Sequence, residues 1–256
     1  MRMPRLAAAI FDLGNTLVKT PYHTVPIEEG SSVEIARFES TVKATYDSLM
    51  NSGIKMDWSS FYEKYRIVRA EQLHTQKQTL REYDMGDRVA RTLSALGFRV
   101  SANSETVKKA IDCHFHSYES YVETNSETES VLQYLCPRYK LGLITNFAHP
   151  PTIHNLLDKF RLRRFFDVIT ISGEFGWVKP SPRIFQSALS ALKLKAEKCV
   201  FIGDDLEADI KGANGIGMKT VLLTEKNLSR SGADSIIHNL RELPSTLDEI
   251  EGRDGP

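Results

Sequence analysis

Cysteine is scarce in this chain, and its three cysteines (Cys113, Cys136 and Cys199) include no CxxC pair. A chain of 256 residues with so few cysteines has no disulfide framework to hold it together. The absence of paired cysteines also argues against a cysteine-rich zinc site. The thiol content fits a reducing compartment, and we expect a cytoplasmic location.

Net charge and long apolar runs are also absent. Lys plus Arg and Asp plus Glu number 33 each, so no overall field draws the chain to nucleic acid or to an anionic membrane. No apolar run reaches the ~18 residues of a membrane-spanning helix. The N-terminal "MRMPRLAAAIF" has basic residues before an apolar run, but Asp12 ends this run too early for a signal peptide. We therefore expect neither a nucleic-acid nor a membrane partner.

Short apolar runs that end in turns alternate with amphipathic segments along much of the chain. The runs "LAAAIF", "KLGLIT", "FFDVITI", "CVFIGDD", "KTVLLT" and "DSIIH" are typical of buried strands. Helical patterns separate most of them after residue 125. This alternation predicts an α/β fold, in which a parallel sheet is covered by helices.

Residues 31–120 break the alternation, because they contain helical patterns and nothing that resembles a strand. Their apolar residues recur at helical spacing, for example in "SSVEIARFESTVKATYDSLMNSG". We interpret this stretch as an all-helical domain inserted after the first strand. The predicted boundaries are 1–22 and 122–256 for the core and 23–121 for the insertion, with the hinge in 22–30.

Polar residues that carry chemistry follow three of the predicted strands. Asp12 ends the first, Thr145 and Asn146 end the second, and Asp204 begins an acidic stretch that continues to Asp209. Ligands bind beyond the carboxyl ends of such strands. Each residue alone has a plain structural explanation as a turn or helix cap. Their joint placement predicts a site in which carboxylates bind Mg²⁺ and the hydroxyl and amide bind an anion.

Lys179 stands in "GWVKPSPRIF", a segment that two prolines stiffen before a helix. An ammonium held on a rigid turn can bring a phosphate and an attacking carboxylate together despite their like charge. The ordinary alternative for any lysine is a solvated surface position.

This ordered set of motifs resembles the haloacid-dehalogenase-like (HAD) superfamily of hydrolases. The resemblance covers about residues 6–22 and 125–243, and it implies a Rossmann-like three-layer core with a helical cap domain. In "FDLGNTL", Asp12 corresponds to the nucleophile that forms an aspartyl-phosphate in the phosphatases. The resemblance further implies that Thr145 and Lys179 bind phosphate, that Lys179 assists catalysis, and that Asp12, Asp204 and Asp209 bind Mg²⁺. Asn146 is expected beside the phosphate.

Gly14 departs from the pattern, because phosphatases of the superfamily usually have a second Asp there as general acid and base. General acid–base catalysis is typically worth about 100- to 10,000-fold, so its loss is most costly for poor leaving groups. The family's metal contact at this position is the backbone carbonyl, which glycine retains. Gly14 is therefore expected to contribute to the Mg²⁺ and phosphate site, and His23 or His74 are candidates for the missing acid.

Three functions remain open at this point. The preferred one is a Mg²⁺-dependent phosphatase that acts on a small phosphorylated metabolite as a monomer or homodimer. A binding or regulatory protein with little catalysis is the alternative, and a haloacid dehalogenase is the third. The dehalogenases of the superfamily also lack the second Asp and use no metal, but they have no need of the acidic residues near Asp204. Clustered carboxylates without a cation would repel one another.

Overall fold

The computed structural model describes residues 6–21, 31–226, 228 and 230–253. The chain divides into two compact units. One contains the sheet and comprises Met1–Lys19, Glu123–Phe147 and Leu157–Pro256; the other is helical and comprises Thr20–Val122 and Ala148–Leu156. The sequence placed the boundaries near 22 and 122. The segment Ala148–Leu156, which it assigned to the core, groups instead with the helical unit.

The sheet unit contains eight strands among the described residues. In chain order they are β1 (Ala8–Phe11), β2 (Val18–Lys19), β3 (Glu123–Thr124), β4 (Lys140–Thr145), β5 (Val168–Ile171), β6 (Cys199–Gly203), β7 (Lys219–Leu223) and β8 (Ser235–Ile237). Six of them form one parallel sheet in the order β5-β4-β1-β6-β7-β8. Strands β2 and β3 form a separate antiparallel pair. The strand order reverses beside β1, which is where open α/β sheets bind their ligands.

Four helices form most of the helical unit, and each begins at a side chain that caps it. They are α1 (Ser32–Asn51), α2 (Trp58–Thr79), α3 (Met85–Ala95) and α4 (Glu105–Tyr121), capped by Ser31, Asp57, Asp84 and Ser104. Each cap accepts a hydrogen bond from a backbone N–H that the helix itself leaves unpaired. Their apolar faces bury a common core that includes Phe38, Leu49, Phe61, Tyr65 and Leu93.

Contacts distant in sequence join Ala148–Leu156 to α4. The imidazole of His149 stacks on the ring of Phe115 with a centroid distance of 4.2 Å. The Asn155 amide donates a hydrogen bond to Glu119 at 3.2 Å. The strand–helix rhythm of the sequence carries no signal for such pairs, which is why the segment was assigned to the core.

The remaining helices belong wholly or partly to the sheet unit. They are α5 (Thr128–Leu135), α6 (Pro150–Lys159), α7 (Ser172–Phe175), α8 (Pro182–Leu192), α9 (Gly212–Asn214) and α10 (Leu243–Arg253), with a π-helical segment at Leu206–Lys211. The ring of Phe185 from α8 packs against Phe201 of β6 in the core beneath the sheet. The predicted α/β fold with a parallel sheet and an inserted helical region is confirmed. Among the described residues, no helix has the length and apolarity to span a membrane.

Candidate active site

The predicted site residues lie where adjacent strands of the sheet end. Asp12 directly follows β1, and its N–H donates a 2.9 Å hydrogen bond to the carbonyl of Ile202 in β6. Thr145 is the last residue of β4, and Asp204 directly follows β6. Since β4, β1 and β6 are neighbours in a parallel sheet, their carboxyl ends bring these side chains to one edge. Thr145 is almost fully buried there.

A tight turn carries the backbone away from Asp12. The carbonyl of Leu13 accepts hydrogen bonds from the N–H groups of Leu17 and Val18, at 2.9 and 3.0 Å. Asn15 adopts a left-handed conformation with φ of 55°, which asparagine tolerates better than most residues. Gly14 lies within this turn and bridges to Val18, and its φ is not positive. The backbone conformation therefore does not itself demand a glycine at position 14.

The ammonium of Lys179 lies at the centre of the site and is buried. Its Nζ donates to Asp12 Oδ1 at 2.5 Å and to Asp209 Oδ1 at 2.7 Å. Only 2% of the lysine side chain is exposed. Burial acts to lower the pKa of Lys179, but the charges of Asp12 and Asp209 outweigh burial and raise it. The lysine is consequently charged, and it holds the two carboxylates together.

Asn146 fixes the backbone from which Lys179 extends. Its amide Nδ2 donates to the carbonyl of Lys179 at 3.0 Å, and its Oδ1 accepts from the N–H of Lys179 at 2.8 Å. These two reciprocal bonds link the end of β4 to the lysine turn, which continues through a cis peptide bond to Pro180. The prediction that Asn146 contacts phosphate stays a prediction. What the structure adds is that Asn146 positions Lys179.

Asp209 is the best-connected carboxylate of the site. While Oδ1 accepts from Lys179, Oδ2 accepts from the backbone N–H groups of Asp204 and Asp205, both at 3.1 Å. To reach them, the carboxylate folds back over Gly203, where a Cβ atom would lie 2.2 Å from Asp209 Oδ2. Only a residue without a side chain leaves room for this arrangement. Sequence reasoning had given Gly203 no role.

Two carboxyl groups of the site have raised pKa values. Burial, opposed by Lys179 and reinforced by the charge of Asp209, raises the pKa of Asp12 to about 6. Burial and the charges of Asp12 and Asp209 raise the pKa of Asp204 to about 8. In both cases burial of the carboxyl group is the largest cause of the shift. Such groups, poised near neutral pH in one location, are typical of functional sites.

A divalent cation fits this donor set. Carboxylate oxygens of Asp12, Asp204 and Asp209 lie within 4.8 Å of one another. Three carboxylates and the Lys179 ammonium leave two negative charges when all are ionised, which is the charge that one divalent cation neutralises. Hard oxygen ligands of this kind suit Mg²⁺. Because both oxygens of Asp209 already accept hydrogen bonds, Asp12 and Asp204 are the freer ligands.

The two histidines considered as substitutes for the missing acid have different outcomes. His23 lies outside the described residues. His74 is exposed on α2 of the helical unit, and its Nε2 lies 2.9 Å from the amide of Gln78. Its assignment as an acid remains a hypothesis.

Comparison with known proteins identifies the class to which this fold and site belong. The profile of the haloacid dehalogenase-like hydrolases matches residues 9–223, and the chain belongs to that family of enzymes. A glyceraldehyde 3-phosphate phosphatase of Pyrococcus furiosus is 26% identical over an alignment of 264 positions, which covers 98% of this chain and 97% of that protein. A glyceraldehyde 3-phosphate phosphatase of Methanopyrus kandleri is 32% identical over 68% of this chain and 71% of its own length.

A solved structure shares the fold across nearly the whole chain. The crystal structure of a 2-haloacid dehalogenase from Pseudomonas syringae has a TM-score of 0.68 and covers 96% of this chain and 99% of its own. At 22% sequence identity this likeness concerns the fold alone. The resemblance stated from the motifs is confirmed, and the chain is a HAD-like hydrolase.

Proposed function

We propose that this hydrolase is a Mg²⁺-dependent phosphatase that acts on a small phosphorylated metabolite through an aspartyl-phosphate on Asp12. The observation that carries the proposal is the placement of Asp12 beside a charged, buried Lys179 and within a cluster of three carboxylates. Relatives named as glyceraldehyde 3-phosphate phosphatases support a phosphatase. They also support a phosphorylated sugar or similar metabolite as substrate.

In this proposal Asp12 is the nucleophile. One oxygen of its carboxylate attacks phosphorus, an Oδ–P bond forms, and the bond from phosphorus to the leaving-group oxygen breaks. Water then attacks the same phosphorus, which releases inorganic phosphate and restores the carboxylate. With its pKa raised to about 6, Asp12 is still largely ionised at neutral pH and can act as a nucleophile.

Lys179 and Thr145 bind the phosphoryl oxygens that Asp12 does not approach. The ammonium offsets the repulsion between an anionic substrate and an anionic nucleophile. Lys179 is rigidly held for this task by Asn146 on its backbone and by Asp209 on its Nζ. Thr145 can donate its hydroxyl from the end of β4.

Asp12, Asp204 and the Gly14 carbonyl would hold the Mg²⁺ ion, with Asp209 at its side. When bound, the ion supplies positive charge that neutralises phosphoryl oxygens and the leaving group. The cluster of three carboxylates and the charge count of the site favour such a cation.

Gly14 restricts the substrates that the enzyme can process without another acid. A good leaving group needs little protonation, so phosphoric anhydrides and aryl phosphates are expected to react faster than alkyl phosphates. The variant Gly14→Asp restores the usual carboxylate and is expected to increase kcat more for an alkyl phosphate than for p-nitrophenyl phosphate. Equal effects on both substrates would mean that the glycine is unrelated to leaving-group protonation.

The test of the proposed function is turnover of p-nitrophenyl phosphate and acetyl phosphate, with Mg²⁺ and with EDTA. We expect Mg²⁺-dependent activity that disappears in Asp12→Asn and survives in Glu207→Gln, a matched control whose exposed carboxylate pairs with Lys211. Release of halide from haloacids, at a rate that EDTA does not lower, would instead identify a dehalogenase. No turnover of either class by a folded protein would indicate a binding role.

A further inference from the structure

The interior of the helical unit holds an arginine whose charge has no ionic partner. Arg88, in the first turn of α3, is only 3% exposed. Its Nε donates to Gln72 Oε1 at 2.8 Å, and its guanidinium carbon lies 4.4 Å from the ring centroid of Tyr83. Among the residues that the structure describes, no carboxylate lies within ion-pairing distance of it. An isolated buried charge is costly unless something compensates it.

Two polar atoms in this interior make no hydrogen bond of good geometry, although the side chains that carry them interact with each other. The Nη2 atom of Arg88 and the hydroxyl of Tyr65 are both buried and unsatisfied. The Tyr65 ring centroid lies 5.6 Å from the Arg88 guanidinium carbon, so the two groups are neighbours. Tyr65 is fully buried, and burial raises its pKa, which keeps the hydroxyl protonated and able to donate. One group with acceptor oxygens would satisfy both atoms.

Gln72 fixes the orientation of this pair. Its Nε2 donates to the Asp84 carbonyl and to Asp87 Oδ2, both at 3.1 Å, which directs its Oε1 toward Arg88. The amide thus occupies the Nε side of the guanidinium and leaves Nη2 available. The fold holds the arginine firmly without neutralising it.

The Asp87 carboxylate is linked to Arg88 indirectly, through the amide of Gln72. Nearby His114 is buried, and burial together with the charges of Arg88, His149 and Arg69 lowers its pKa to about 3. His114 is therefore neutral at physiological pH. Arginine itself cannot lose its proton in a protein. The rings of Tyr65 and Tyr83 compensate part of its charge, and a bound anion would compensate it directly.

We propose that Arg88 and Tyr65 form a binding site for a small oxyanion, a carboxylate or phosphate group, inside the helical unit. The planar guanidinium suits such groups, because its N–H donors match the spacing of carboxylate and phosphate oxygens. The Tyr65 hydroxyl donates a further hydrogen bond. The oxyanion in this proposal is a free anion that is held wholly within the helical unit.

The first experiment measures thermal unfolding in a low-salt zwitterionic buffer while sodium sulfate is titrated. The variants are Arg88→Met, Tyr65→Phe and, as a matched control, Arg99→Met, which removes an exposed arginine of the same unit. Sulfate also stabilises proteins generally because it is excluded from their surface, and the Arg99→Met control shows the size of that general effect. The wild type and Arg99→Met are expected to show a saturable rise in Tm, on the order of 5 °C at 100 times Kd. This saturable part is expected to be lost in Arg88→Met and strongly reduced in Tyr65→Phe.

The melting temperatures of the same variants without sulfate distinguish anion binding from a purely structural role of Arg88. Without sulfate, Arg88→Met is expected to melt at or above the wild-type temperature, because it removes an uncompensated buried charge. Tyr65→Phe keeps the ring and removes only the hydroxyl, so it folds even if Arg88→Met does not. Sulfate-dependent shifts of equal size in the wild type and Tyr65→Phe, or no saturable shift in the wild type, would overturn the proposal.

Discussion

Replacement of Asp209 by asparagine is expected to damage both the stability and the activity of the enzyme. Oδ1 of Asp209 accepts from Lys179, while Oδ2 accepts from the N–H groups of Asp204 and Asp205. The three groups that form hydrogen bonds with this carboxylate are all donors. Asparagine has one oxygen and one NH₂ group, so in either orientation its NH₂ faces other donors.

The magnitude follows from the bonds that each orientation loses. With NH₂ toward the backbone, two hydrogen bonds to a charged acceptor disappear, each worth about 1.5–3 kcal/mol. With NH₂ toward Lys179, a buried ion pair is broken, which costs about 3–5 kcal/mol. Loss of the repulsion between Asp209 and Asp12 offsets part of either cost. We expect the free energy of unfolding to fall by about 3 kcal/mol.

Activity is expected to fall further than stability alone would require. Lys179 loses one of its two carboxylate partners, and displacement of a reacting group by 1 Å costs about 100-fold in rate. Urea denaturation and kcat on p-nitrophenyl phosphate measure the two effects.

The control is Asp205→Asn, because asparagine is as good a helix cap as aspartate. Asp205 accepts from the N–H groups of Glu207 and Ala208, both at 2.8 Å, and asparagine can do the same. This account of Asp209 would be refuted if the free energies of unfolding of Asp209→Asn and Asp205→Asn differed by less than ~1 kcal/mol, well under the expected ~3 kcal/mol, and if kcat were unchanged.

Three further predictions concern residues around the site and in the helical unit. Gly203→Ala places a Cβ 2.2 Å from Asp209 Oδ2, so we expect urea denaturation to show a loss of about 1–3 kcal/mol, and kcat to fall with it. Asn146→Ala removes both hydrogen bonds to the Lys179 backbone and is expected to lower kcat at least 10-fold, about 1.4 kcal/mol in the barrier; unchanged kcat would deny Asn146 its positioning role. His114 binds its proton more weakly in the folded state, because burial lowers its pKa to about 3 from about 6.5 when unfolded. Its contribution to stability is thus complete above pH ~6.5 and is lost as pH falls, by about 2 kcal/mol at pH 5, and His114→Gln should abolish this slope in urea denaturation.

The fold was largely predictable, because buried parallel strands and amphipathic helices leave strong periodic signals. Strands β1, β4 and β6 are all predictable as apolar runs that stop at a polar turn. The short pair β2 and β3 was not, since two-residue strands carry no periodicity. The helical segment after β6 begins as a π-helix, in which the carbonyl of Asp205 accepts from the N–H groups of both Asp209 and Ile210.

The candidate site was predictable as a set of residues but not as a set of contacts. Motif order indicated that Asp12, Lys179, Asp204 and Asp209 belong together. It could not indicate that Asn146 binds the backbone of a residue 33 positions away. Nor could it reveal the uncompensated charge of Arg88 in the helical unit, because burial and the lack of a partner are properties of the tertiary structure.

The measurement that tests the central claim most directly is detection of the phosphorylated intermediate. The wild-type enzyme turning over acetyl phosphate with Mg²⁺ would be quenched in acid within milliseconds, digested, and analysed by mass spectrometry, with Asp12→Asn and Glu207→Gln in parallel. We expect a phosphoryl group on the Asp12 side chain in the wild type and in Glu207→Gln, and none in Asp12→Asn. Turnover of acetyl phosphate by Asp12→Asn at the wild-type rate, or a phosphoryl group on a different residue, would contradict the assignment of Asp12 as the nucleophile.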